Sequence, residues 1–184
     1  YRPYRPKRKT RATIAQAKGL EGLANIITLQ MPGSDIAKEA EKYISEEKGV
    51  ESANEAISGA MDIIAENISD TADYRKVIRE LTVKKGTVVT SAKDPEAESV
   101  YEMYYDFSSP VSKMTGHRTL AINRGEKEKF LTVKILAPEE EIIRYLEKQV
   151  IVRDNPYTTP VLKEAIEDSY KRLIGPAIER EIRS

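Results

Sequence analysis

Residues 101–135 read YEMYYDFSSPVSKMTGHRTLAINRGEKEKFLTVKI, and this stretch holds the change of period on which the fold turns. Tyr101, Tyr104, Tyr105 and Phe107 form the densest aromatic group of the chain. Such a group is more often core than binding surface, and its hydroxyls then need partners inside a helical core. Phe130–Ile135 alternates Leu131, Val133 and Ile135 with polar residues, a strand signal. Its counterpart is the short β-branched run Thr87–Ser91, some forty residues earlier. The two predict a small two-stranded element over about 86–92 and 130–136, paired non-locally. Between them, Asp94-Pro95 predicts a helix running to about Tyr105. Ser109-Pro110 predicts a short turn, and Thr115 predicts the cap of a helix through Leu120 and Ala121 that Gly125 ends.

Outward from this stretch the period is helical. Thr10 suits the cap of a first helix and Gly19 its end. Leu20, Leu23, Ala24 and Ile27 follow at i, i+3, i+4, i+7. Met31-Pro32-Gly33 breaks that stripe. Ser34 then caps a helix through Ile36, Ala37, Ala40 and Ile44, ended by Gly49. Ser52 opens the strongest stripe: Ala53, Ala56, Ile57, Ala60, Ile63, Ile64 and Ile68, whose small residues permit close helix approach. A further helix from about Asp70 carries Val77, Ile78 and Leu81 and stops near Gly86. Glu139, Glu140 and Glu141 suit a helix N-terminus through the macrodipole, with Ile142, Ile143, Leu146 and Val150 as its apolar face. After the turn Asp154-Asn155-Pro156, Thr159-Pro160 starts a helix through Leu162, Ala165, Ile166 and Leu173. Gly175-Pro176 kinks or breaks it before Ile178 and Ile182. The fold class expected is mainly α, a multihelical bundle with a small β element. Three divisions are expected: a basic arm and first helix (1–18), a helical domain with the β element (19–154), and C-terminal helices leading towards a following domain (155–184).

Composition narrows function. The 184 residues carry 30 basic and 30 acidic side chains, so no global field steers the molecule to nucleic acid or membrane. There is no cysteine and one histidine, which excludes disulfides and thiolate zinc sites and leaves carboxylates alone to build a metal site. No apolar run approaches the ~18 residues of a membrane span, and a cytoplasmic protein is expected. The opening without Met and the helical pattern still running at Ser184 read as a piece of a longer protein.

Charge is segregated locally. Tyr1, Arg2, Tyr4, Arg5, Lys7, Arg8, Lys9 and Arg11 interleave tyrosine with clustered cations, and Pro3 and Pro6 favour an extended arm. Those residue types suit phosphate contact and base stacking on single-stranded RNA or DNA. The competing reading lays the arm along acidic faces of its own protein. A second patch, Lys84, Lys85, Arg118, Arg124, Lys127 and Lys129, is interrupted by Glu126 and Glu128 and reads as a solvated face. Catalysis has little to build on. His117 with Asp106 and Ser108, Ser109 or Ser112 is a formal triad, but no serine sits in a nucleophile elbow. The glutamates of 139–141 answer to the helix dipole before any metal, and the nine glycines are scattered with no phosphate-cradling loop. No catalytic residue, metal or cofactor is expected.

Three blocks carry a family resemblance: YRPYRPKRKTRATIAQAKGLEGLA (1–24), YYDFSSPVSKMTGHRTLAINRGEKE (104–128) and TTPVLKEAIEDSYKRLIGPAIEREIRS (158–184). Together the chain resembles the Tex family of bacterial transcription accessory proteins and, distantly, the core of a eukaryotic elongation factor that travels with RNA polymerase II. The resemblance implies a helical segment that precedes an RNase H-like domain, helix-hairpin-helix elements and a C-terminal S1 domain. It further implies nucleic-acid association, mainly through the S1 end, and the other domains of the same protein as partners. The family block His117, Arg118, Arg124, Gly125 and Glu126 is marked as important, for folding or for binding. A non-enzymatic scaffold is therefore expected, with a protein-interaction module docking on the transcription machinery as the alternative.

Overall fold

The computed structural model describes residues 9–184. In chain order the elements are α1 (Arg11–Ala17), α2 (Glu21–Leu29), α3 (Ile36–Glu41), α4 (Ala53–Ser69), α5 (Ala72–Lys85), β1 (Thr87–Ala92), β2 (Asp106–Pro110), α6 (Gly116–Lys127), β3 (Leu131–Leu136), α7 (Glu139–Val150), α8 (Thr159–Asp168) and α9 (Gly175–Arg183). Short 3-10 turns cover Glu102–Tyr104 and Val111–Lys113, and Ser169–Ile174 is π-helical. The chain divides into two units. The first comprises residues up to Ala72 together with Ile143–Ile174; the second comprises Asp73–Ile142 and Gly175–Ser184. Among the described residues no helix is long and apolar enough to cross a membrane.

The first unit is built on α4. Ser52 caps it by accepting from the Glu55 N–H, which satisfies one of the orphan donors of its first turn. Ala56, Ala60, Ile63, Ile64, Ala65 and Ile68 are its buried face, and α1, α2, α3, α8 and the π-helical turn all lie against it. Small residues set how closely they come: a Cβ on Gly59 would stand 2.3 Å from Leu20 Cδ1. Leu23, Ile27, Leu162 and Ile166 are fully buried here, each worth about 1.5–3 kcal/mol of transfer from water. The Ser169 hydroxyl donates to the Ala65 carbonyl at 2.6 Å, tying the π-helical turn to α4.

The second unit holds a three-stranded antiparallel sheet in the order β2-β1-β3. Val88 stands opposite Ser109 and Ile135, and Thr90 opposite Phe107 and Val133. One face therefore carries Val88, Leu131 and Val133, which close over Tyr101, Tyr104 and Ile122 as a buried cluster. Tyr104 and Phe107 meet edge to face at 5.2 Å, and the Thr90 hydroxyl donates to the Tyr104 carbonyl at 2.6 Å. The outer edge of β3 is met by α9: the Ile135 N–H donates to Glu179 Oε1 at 3.1 Å.

Several expectations change. The sheet has a third strand, Asp106–Pro110, where two strands were expected. Pro110 is compatible with it because β2 lies at the sheet edge. No helix spans 94–105. Asp94 does cap, accepting from the Glu96 N–H at 3.0 Å, but the chain then turns instead of coiling, because Tyr101 and Tyr104 are drawn into the sheet cluster. The helix through Ile36 is capped by Asp35 rather than Ser34 and ends at Glu41, leaving Ile44 exposed beyond it. Gly125 does not end α6; it lies buried within it.

Candidate nucleic-acid interface

Six of the arm residues, Tyr1, Arg2, Tyr4, Arg5, Lys7 and Arg8, lie outside the described residues. Lys9 and Arg11 are described, and both are exposed. Between them the chain is rooted firmly. Thr10 and Thr13 form a reciprocal capping box: each backbone N–H donates to the other's hydroxyl, at 2.8 and 3.1 Å. The Thr10 hydroxyl also donates to Glu66 Oε2 at 2.9 Å, pinning the start of α1 to α4. Arg11, Lys18, Glu51, Glu55 and Asp62 line a shallow groove beside this root, so its charge is mixed. Burial raises the Asp62 carboxyl above its ordinary 3.8, against the pull of Arg172 and Arg11.

The block on α6 separates by role. Gly125 is a packing residue: a Cβ there would lie 2.6 Å from Leu131 Cδ1 and 3.1 Å from Tyr101 Cδ1. Glu126 forms an ion pair with Arg183. Arg118 lies over the Phe107 ring, 5.8 Å from its centroid, a cation–π contact. His117 and Arg124 are exposed, as is Leu120 at 70%. Thr115 stands at the cap position, but its hydroxyl approaches His117 Nδ1 at 3.4 Å instead of capping a backbone N–H. His117 has that threonine as its side-chain partner rather than Asp106 or a serine; Ser109 is buried and donates to the Pro110 carbonyl.

The second basic patch is likewise divided. Lys85 pairs with Glu141 at 2.6 Å. Glu128 accepts from the Tyr101 hydroxyl, and that bond is the chief cause holding the phenol above its ordinary pKa. Lys84, Lys127 and Lys129 are exposed. Among the described residues no group of three or more His, Asp or Glu is placed to hold a metal ion. What sequence reasoning missed lies elsewhere, in exposed Leu29, Met31, Val152 and Tyr157. The signal was present in Leu29 and Val152, apolar residues that fall outside every helical stripe.

Comparison with known proteins shows the family. The model of the family described as "Tex central region-like" matches residues 31–183. The protein YdcI of Bacillus subtilis strain 168 is 54% identical over 187 residues, covering 100% of this chain and 26% of that protein. Transcriptional accessory protein Tex of Neisseria gonorrhoeae is 33% identical over 138 residues, covering 73% of this chain and 18% of that protein. The human S1 RNA-binding domain-containing protein 1 is 31% identical over 198 residues, covering 99% of this chain and 20% of that protein. The chain spans about a quarter or less of the length of these relatives.

Proposed function

This chain belongs to the Tex central region-like family, a region of Tex-like transcription accessory proteins, and we propose that it serves there as a non-catalytic scaffold holding a basic segment ready for single-stranded RNA or DNA. The observation that carries this reading is the root of that segment. A capping box and the Thr10–Glu66 hydrogen bond fix the start of α1, which the basic segment directly precedes in sequence. A run of cations delivered from a fixed point loses less orientational freedom on meeting a phosphate chain than one on a loose end. The name of the human relative, an S1 RNA-binding domain-containing protein, supports nucleic acid as the partner class. The remaining domains of the full-length protein are the other partners of the scaffold.

The test is fluorescence anisotropy of the chain with labelled single-stranded RNA across a salt series, beside a version lacking residues 1–8. If the six cations between Arg2 and Arg11 each meet a phosphate, log K falls against log salt with a slope near −4, from about 0.7 per contact. Removing residues 1–8 takes away four of them and brings the slope towards −1. Equal affinity and slope for the two versions would remove the segment from the interface.

A further inference from the structure

The cations that precede α1 have their counterpart in one unit of the fold. Residues 1–8 carry four basic side chains and no acidic one. The rest of the first unit, 9–72 and 143–174, carries 12 basic and 16 acidic side chains, a net charge of −4. The second unit carries 14 of each and is neutral. The zero charge of the whole chain therefore comes from setting this segment against the unit to which it is joined. Screening leaves such an attraction effective over about 8 Å at physiological salt, so it acts where the acids lie close to the segment.

A groove of that unit starts beside the root of the segment. Thr10 bonds to Glu66, Ala15 and Leu20 lie against Gly59, and Lys18 reaches Gly49, so α1 runs antiparallel to α4. Beside the two helices lies one continuous groove of about 450 Å³. Arg11 and Asp62 line its near end, Ile14 and Glu55 its middle, and Lys18 and Glu51 its far end. Arg11 and Asp62 attract each other, and Lys18 lays its stem over Gly49. Glu51 and Glu55 are exposed, and neither has an ion pair among the described residues; Glu55 Oε2 accepts only from the Glu51 N–H, at 2.8 Å. Ile14 is 47% exposed and offers an aromatic ring an apolar surface to cover.

We propose that this groove is the resting site of residues 1–8 of the same chain, with their cations on Glu51 and Glu55, and that a phosphate chain must displace it to reach them. Length fits the occupant. At 1.5 Å per residue, Glu66 to Glu51 is about 22 Å, and eight residues in the extended form that Pro3 and Pro6 favour span about 25 Å. Charge fits it as well: four cations and no acid meet the two unpaired carboxylates of a unit that is net negative by the same amount. Attachment favours it over any free partner, because a short tether supplies an effective concentration of order 1 mM. The consequence for nucleic acid rests on the function proposed above; the docking itself does not.

The probe is a labelled peptide of residues 1–9, YRPYRPKRK, titrated with the full chain and with a version lacking residues 1–8, and read by fluorescence anisotropy. The shortened chain should bind it with a Kd of about 1 mM or tighter, the affinity at which the tether keeps the groove filled. The full chain should bind it more weakly, because its own segment holds the groove. Glu51→Lys with Glu55→Lys should weaken binding to the shortened chain about tenfold or more. Glu41→Lys with Glu164→Lys, an equal change of charge at exposed positions outside the groove, should weaken it far less. Circular dichroism checks the folds, and Glu51→Gln with Glu55→Gln, which keeps an acceptor for the Glu51 N–H, serves if the lysine pair does not fold. This assay contains no nucleic acid, so a failure of RNA binding strikes the function proposed above and leaves the docking standing. The docking is overturned by absence of peptide binding at millimolar concentration, by equal binding to the full and shortened chains, by equal loss in the groove and control pairs, or by a dimer in sedimentation that removing residues 1–8 dissolves.

Discussion

Gly125→Ala sets two effects of opposite sign against each other, and the structure decides between them. Within a helix, alanine is favoured over glycine by about 1 kcal/mol. Against this, the new methyl would lie 2.6 Å from Leu131 Cδ1, 3.0 Å from its Cγ and 3.1 Å from Tyr101 Cδ1, where apolar carbons rest at about 3.5–4.0 Å. Neither neighbour yields freely. Leu131 is fully buried in the sheet cluster, and Tyr101 is held at its far end by Glu128. Overpacking of this order costs about 1–3 kcal/mol, so the net loss should be about 1 kcal/mol, or some 2–4 °C in Tm for a chain of this size. Gly125→Val, with more bulk and a poorer helix former, should lose about 3 kcal/mol or more. Urea denaturation followed by circular dichroism measures both. Adding Leu131→Ala to Gly125→Ala should show a coupling of about 1 kcal/mol, because the cavity accepts the methyl. A Gly125→Ala protein as stable as the parent, or more so, would refute close packing as the role of this glycine and return it to the binding readings of the family block.

Other outcomes rest on the same geometry. Asn155, 2% exposed, donates to the Met31 carbonyl at 3.0 Å and accepts from the Tyr157 N–H at 2.8 Å, so Asn155→Ala strands buried partners and should cost about 3 kcal/mol, read as a lower urea midpoint; an unchanged midpoint would mean water replaces the amide. Ile63→Asp places an unpaired charge at a site 1% exposed and should cost more than about 4 kcal/mol, so a cooperative melt near the parental Tm would show that α4 is misread. Burial raises the Asp62 pKa, so the folded state holds that proton more tightly than the unfolded chain, and the carboxyl weakens the fold as pH rises through the acid range. Asp62→Asn should therefore raise Tm at pH 7, with the gain shrinking towards pH 3; a gain that grows on acidification would contradict the burial argument. His117→Ala, at an exposed position, should leave the melt within about 0.5 kcal/mol of the parent.

Most helices were legible because their ends carry local chemistry. Thr10 and Ser52 cap as their residue types suggest, the three glutamates from Glu139 do open a helix, and Thr159-Pro160 opens the next. The errors cluster around the sheet, where non-local contacts override local preference. Asp-Phe-Ser-Ser-Pro has no β-branched residue and reads as a turn, yet pairing with β1 makes it a strand. Gly125 looks like a helix stop until Leu131 arrives beside it from the next strand. The π-helical turn before Pro176 has a partial signal: proline has no N–H for the Arg172 carbonyl, and the widened turn absorbs that mismatch. In the candidate site, the exposed cations could be read from the chain itself. The pairing of Glu126 with Arg183 could not, since it joins residues 57 apart.

The hydrogen bond from Ser169 to Ala65 spans 104 residues, and its consequence lies in the order of synthesis. A ribosome adding about 5–20 residues per second exposes α4 roughly 5–20 s before the residues that complete its packing emerge. Through that interval Ile63, Ile64 and Ile68 stand without α8, while the whole sheet unit is being made. The nascent chain therefore passes through a stage in which the second unit can finish most of its strands while the first waits half-built. During that wait the exposed α4 stripe is the surface on which a chaperone would act.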